Sequence, residues 1–167
     1  TAMGSGGGTY ACHVTQSELS ANATLFGDGG GAHGGALHNC RIHANSANYG
    51  GGGTAWAQMY NCAIYENTAV FGGGAYGNGE SWGGMLRNCT LVGNNADAAG
   101  GGAYMCNGIN VILHANTSPS GPNAHHTELR YSCTSPYQPG EGNLAVDPQL
   151  VSVSHLSRGS PCIGAGD

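Results

Sequence analysis

The chain is 167 residues long, with 32 glycines, four arginines, nine acidic side chains and a formal net charge of −5. That length suits one domain with a core of its own, and so much glycine without a Gly-X-Y period excludes collagen. Sparse charge excludes a disordered polyelectrolyte, the apolar runs are too short to insert into a membrane, and an acidic chain without lysine lacks the basic stripe of a nucleic-acid binder.

Two repeated elements alternate along the chain. Residues 1–8 carry neither the charged nor the apolar segment of a signal peptide. The first element opens at Gly6-Gly7-Gly8-Thr9-Tyr10 and returns at Gly29–His33, Gly51–Ala55, Gly72–Tyr76 and Gly100–Tyr104. The second starts as a weak copy, Gln16–Asn22, and becomes plain at Asn39-Cys40-Arg41-Ile42-His43-Ala44-Asn45, Asn61–Asn67, Asn88–Asn94 and Asn110–Asn116. The column Ser17, Cys40, Cys62, Cys89, Val111 advances by 23, 22, 27 and 22 residues, and one more step of 22 points to Cys133. The extra residues fall at Gly77–Gly83, as a solenoid tolerates a variable loop on a constant period.

Within each copy Cys40 and Ile42 share parity while Arg41 and His43 alternate with them, which is the period of a strand. Glycine triplets and asparagines weaken helices, so helical repeat arrays are excluded. The expectation is an all-β parallel β-helix of about five to six rungs of about 22 residues, strands stacking at about 4.8 Å. Asn22, Asn45, Asn67, Asn94 and Asn116 then form one column, suited to a bend and to an amide ladder. Small Thr24, Ala47, Ala69, Ala96 and Ser118 lie two residues on, consistent with a tight corner.

Beyond Thr117 the composition shifts, and all six prolines lie between 119 and 161. Residues 1–116 are expected to form the rungs, and 117–167 a degenerate last rung plus an irregular C-terminal cap within the same domain. No comparable cap precedes Gly6, so the first rung is expected to continue into a larger chain or to meet another molecule.

The repeated Gly-Gly-Ala and apolar-x-x-Asn motifs resemble the right-handed parallel β-helix passengers of bacterial surface proteins. These include polymorphic outer-membrane proteins, autotransporter passengers and the wider pectin-lyase-like superfamily. The tail, Val146-Asp147-Pro148-Gln149-Leu150 through Ser160-Pro161-Cys162-Ile163-Gly164-Ala165-Gly166, resembles the ending of secreted choice-of-anchor β-helix proteins. It departs from that pattern at Leu150, where an aromatic is usual, and at Gly164, where an acid is usual. The resemblance implies a right-handed coil and an extracellular or cell-surface setting in bacteria; it implies little about activity.

Polysaccharide lyases and hydrolases on this fold imply a base and a uronate-neutralising group, for which Glu66, Glu80, Asp97, Arg41 and Arg87 are the candidates. No two acids occupy neighbouring positions of one column, so scattered solvated charge is the simpler reading, with Asp28 and Asp97 as turn residues; no catalytic set, cofactor or metal is expected. His43 and His114 share a column three rungs apart, and His125-His126 should diverge on an extended strand. Cys40, Cys62 and Cys89 should point inward as reduced stacked thiols, although a rung-to-rung disulfide lies within range. Cys133 with Cys162 is a plausible cap staple, while Cys12 and Cys106 are too many rungs apart to pair.

Tyr10, His33, Ala55, Tyr76 and Tyr104 form an outward column beside Trp56, with Trp82 in the insertion. Tyr76, Tyr104, Trp56 and Trp82 are therefore candidate carbohydrate contacts, against the alternative of ordinary cross-rung packing. The glycine column Gly30, Gly52, Gly73, Gly101 is either an assembly strip for a neighbouring backbone or a corner requirement. The expected function is a structural solenoid without catalysis: a stalk, adhesin passenger or fibre subunit. Its partners would be itself, the rest of a larger surface protein, or glycans. A carbohydrate-binding module and a small polysaccharide lyase or hydrolase are the alternatives.

Overall fold

The computed structural model describes residues 1–79 and 83–167. Four short strands make one circuit. The first turn holds β1 (Thr9–Tyr10), β2 (His13–Thr15), β3 (Glu18–Ser20) and β4 (Ala23–Thr24). The second holds β5 (Ala32–His33), β6 (Ala36–His38), β7 (Arg41–His43) and β8 (Ser46–Ala47), and the third β9 (Thr54–Ala55), β10 (Gln58–Tyr60), β11 (Ala63–Tyr65) and β12 (Thr68–Phe71). The fourth comprises β13 (Ala75–Tyr76), β14 (Met85–Arg87), β15 (Thr90–Val92) and β16 (Asn95–Ala99). Next come β17 (Ala103–Tyr104), β18 (Asn107–Ile109) and β19 (Ile112–His114), then β20 (Ala124–His125), β21 (Glu128–Arg130) and β22 (Cys133–Thr134). The cap adds an antiparallel pair, β23 (Leu150–Ser152) and β24 (His155–Leu156).

Equivalent strands of successive turns pair in parallel, giving three six-stranded faces and a fourth of four strands. The molecule is therefore a right-handed parallel β-solenoid of about six turns, and no helix occurs among the described residues. At the start of the coil Ala2 bridges to Thr24, so residues 1–5 already run along the fourth face.

A shorter period lies inside the 22-residue one. Between faces the chain turns on a single left-handed residue about every five positions: Ala11, Gln16 and Ala21 in the first turn, Asn39 and Ala44 in the second, Trp56, Asn61 and Glu66 in the third. Three strand residues and a two-residue corner return the chain to the same orientation. Each face thereby sends its middle residue inward, and the second residue of the corner, such as Cys40, turns inward as well. On the second and third faces the middle residues are Leu37, Met59, Leu86 and Ile42, Ile64, Leu91, all 0% exposed. The core is a stack of single layers, each sealed by its neighbours. Truncating one of these leucines to alanine removes about 2–5 kcal/mol.

The fourth corner is built from glycine because backbone meets backbone there. Gly51 has φ +65, and a Cβ on Gly52 would run into the carbonyl oxygen of Thr68. Gly30, Gly73 and Gly101 face the carbonyls of Ser46, Asn95 and Thr117 in the same way, and all four are buried. The close backbone approach anticipated for this column exists, but the partner is the same chain, inside the coil. The glycines therefore serve the corner and do not form a strip on the surface.

Three further expectations change. The sixth turn is one residue short: Ile112 pairs with Cys133, so the column Cys40, Cys62, Cys89, Val111 continues at Ser132, whose hydroxyl accepts from the Val111 N–H. Asp97 lies inside β16 and not in a turn. His125 and His126 do not diverge; their rings lie 4.2 Å apart, because His126 occupies a left-handed corner at φ 50.

Candidate functional site

The internal asparagines form a continuous amide ladder. Asn45 donates from Nδ2 to Asn67 Oδ1 at 3.0 Å and to the Leu19 carbonyl at 2.8 Å, while its own Oδ1 accepts from the backbone and side-chain nitrogens of Asn22. Asn67 and Asn94 repeat this pattern one turn on, donating to the Ile42 and Ile64 carbonyls. Each of these buried amides makes two donor and two acceptor bonds, which removes the penalty for placing it in the core. Asn116 donates to Asn123 Oδ1 at 2.8 Å, so Asn123 ends the ladder. Asn123 arrives from the neighbouring face, at the place where earlier turns carry the third glycine of the triplet. Its separation of seven residues from Asn116 hid it from the 22-residue period.

A second ladder runs outside. Asn110 donates to Asn88 and Asn88 to Asn61, each at 3.1 Å, from left-handed corner positions. Its signal was present in the Asn-Cys pairs, where asparagine suits the αL corner and the following cysteine points in. Cys40, Cys62 and Cys89 form the inward column beside it, each 1–3% exposed and donating to carbonyls such as His38, Tyr60 and Arg87. All seven cysteines are free thiols. The Cys89 thiol hydrogen-bonded to Cys62 draws the latter below the ordinary thiol range, while burial raises Cys89 and Cys40. Burial also pushes Cys106, in a separate column, up to about 12.

The rings stack as the columns dictate. Tyr10 lies flat on His33 at 5.0 Å, and His33 leans on Trp56 at 5.7 Å, since Ala55 leaves that place in the third turn empty. Tyr76 stacks on Tyr104 at 5.7 Å and Tyr104 on His125 at 5.5 Å, with Tyr49 and Phe71 packed edgewise or tilted against them. The ring faces of Tyr76 and Tyr104 thus cover one another, so these two offer edges and hydroxyls outward. Tyr10 and Trp56 are more open, at 61% and 45% exposure. Two shorter stacks, His38 on Tyr60 and His43 on Tyr65, line the second and third faces. Burial, then the neighbouring Tyr49 and Asp28, push the Tyr76 phenol up to about 12.

The ionisable candidates stay dispersed. Glu66 is an exposed corner residue and Asp97 accepts from its neighbour Asn95. Glu18 pairs with His43 at 2.7 Å, a contact between adjacent turns. Arg41 stands next to Glu18 in register on the following turn. Arg87 borders a hollow of about 270 Å³ over β14, β18 and β21, with Met85, Asn107, Ile109, Glu128 and Arg130. Glu80 and Trp82 lie outside the described residues. Among the described residues no three His, Cys, Asp or Glu side chains converge as metal ligands.

No protein-family model, curated protein or solved structure matches this chain.

Proposed function

We propose that the chain is an extracellular structural β-solenoid of a bacterial cell surface, a stalk, adhesin passenger or fibre-subunit segment with no catalysis of its own. In this reading it is a β-helix of the pectin-lyase-like, autotransporter-passenger kind, with a tail of the choice-of-anchor type. The observation that carries it is the unbroken amide ladder from Asn22 to Asn123. Every turn is tied to the next through backbone and side chain together, so the coil resists extension along its axis. A spacer held under tension needs that property, and a carrier of diffusible substrate does not. Its partners are further copies of itself or the remainder of a larger surface protein.

Pulling along the coil axis by force spectroscopy tests the reading. A spacer ruptures in discrete high-force steps that weaken in Asn67→Ala. Smooth lengthening at low force, or turnover of an acidic polysaccharide by the wild-type chain, overturns it. A second reading, a glycan-binding surface, draws on the exposed rings of Tyr10 and Trp56. Glycan-array binding that disappears in Trp56→Ala supports it; an array without hits removes it.

A further inference from the structure

The cap brings two thiols together. Cys133, on β22, and Cys162, in the C-terminal tail, line one cavity of about 100 Å³ with Leu144, Ala165 and Gly166. Neighbouring contacts hold both in place. Cys133 bridges to Leu144 and its thiol donates to the Val146 carbonyl at 3.3 Å. The tail is anchored on the other side by the Asp167 N–H, which donates to Asn110 Oδ1 at 3.0 Å. We infer that Cys133 and Cys162 are a modification site: an oxidisable dithiol that closes into a disulfide and clamps the tail over the open edge of the last turn.

The order of events follows from burial. Cys162 is half-buried whereas Cys133 is buried, and desolvation, with the neighbouring Cys162 thiol, pushes Cys133 up to about 12. Cys162 thiolate attacks first on a small disulfide such as oxidised glutathione, forming a mixed disulfide and releasing one glutathione thiolate. Cys133 then loses its proton to that thiolate and attacks the Cys162 sulfur, displacing the second glutathione. Two protein thiols are oxidised and one glutathione disulfide becomes two thiols, so the electrons balance. The other inward cysteines, Cys40, Cys62, Cys89 and Cys106, are shielded within the coil. Cys12 is exposed and so is open to adducts and to cross-links between chains.

Trypsin isolates the pair, since cleavage after Arg130 and Arg158 leaves Cys133 alone in 131–158 and Cys162 alone in 159–167. The test treats the otherwise complete Cys12→Ser chain with oxidised glutathione, blocks remaining thiols by alkylation and maps the peptides. The expected product is 131–158 joined to 159–167, lighter by two hydrogens, with all other cysteines alkylated. Oxidation should slow protease nicking of the tail by on the order of a hundredfold, and Cys162→Ser should abolish both effects. Alkylation of both peptides, a stable glutathione adduct at Cys162, a bridge inside the Cys40–Cys62–Cys89 column, or an oxidised tail cut as fast as the reduced one overturns the inference.

Discussion

At the scale of the residue, the most consequential positions are the left-handed corners, and many of them are not glycine. Ala44 sits exposed at φ 52, a conformation that strains any L side chain with a Cβ. Ala44→Gly should therefore stabilise the coil by about 1 kcal/mol, against the usual cost of adding glycine to a fold, and thermal unfolding will show it. Thr134 offers a complementary case. It occupies the inward column of Leu91 and Leu113, and its buried Oγ1 has no hydrogen-bond partner among the described residues. Thr134→Val keeps the shape and removes the unsatisfied hydroxyl, so it should gain about 1 kcal/mol in urea titration. A loss there would mean that the hydroxyl is satisfied by water.

At the scale of the element, the ladder is worth more in its middle than at its start. Asn67→Ala strands the Asn45 amide, the Ile42 carbonyl and part of Asn94, and should cost about 3–5 kcal/mol. Asn22→Ala removes a single downstream partner at a half-buried position and should cost about 1 kcal/mol; equal losses in chemical denaturation would contradict a ladder that is bonded on both sides only inside the coil. The ladder was legible in the sequence because asparagine recurs in register and is a poor strand former. What was not legible follows from geometry. The five-residue spacing of corners was masked because Ala21, Gln16, Glu66 and Trp56 carry no common chemistry, only a common backbone conformation. Asn123 was missed because it enters from another face. The glycine column was read partly as a surface because composition alone does not say on which side of a strand the missing side chains lie.

At the scale of the whole molecule, neighbour-to-neighbour contacts dominate and no layer is stable alone. Ring stacks tie the outside of the coil as the amides tie the inside, which makes alkaline pH a global probe. Tyr76 ionises at about 12 in the fold because burial and the nearby Tyr49 and Asp28 disfavour its anion, against about 10 when unfolded. The folded chain then holds a proton that the unfolded chain has lost. The contribution of Tyr76 to stability is intact below about pH 10 and is lost as pH rises toward 12. Phenolate absorbance should show a late-titrating tyrosine that disappears in Tyr76→Phe, together with a less steep alkaline loss of stability. An unchanged titration curve in that variant would assign the late proton elsewhere.

The segment Gly77–Gly83 lengthens the fourth circuit, yet Tyr76 still pairs with Tyr104 and Met85 with Asn107 on either side of it. One junction of the barber-pole thus serves as a port for extra sequence, with Gly77 and Gly79 still donating to the Tyr104 and Met105 carbonyls of the next turn. The junctions at Asn61 and Asn88 are bolted by side-chain amides and admit no such detour. Foreign peptide cargo displayed from the port should leave the melting temperature nearly unchanged, whereas the same cargo spliced beside Asn61 should unzip the neighbouring turns.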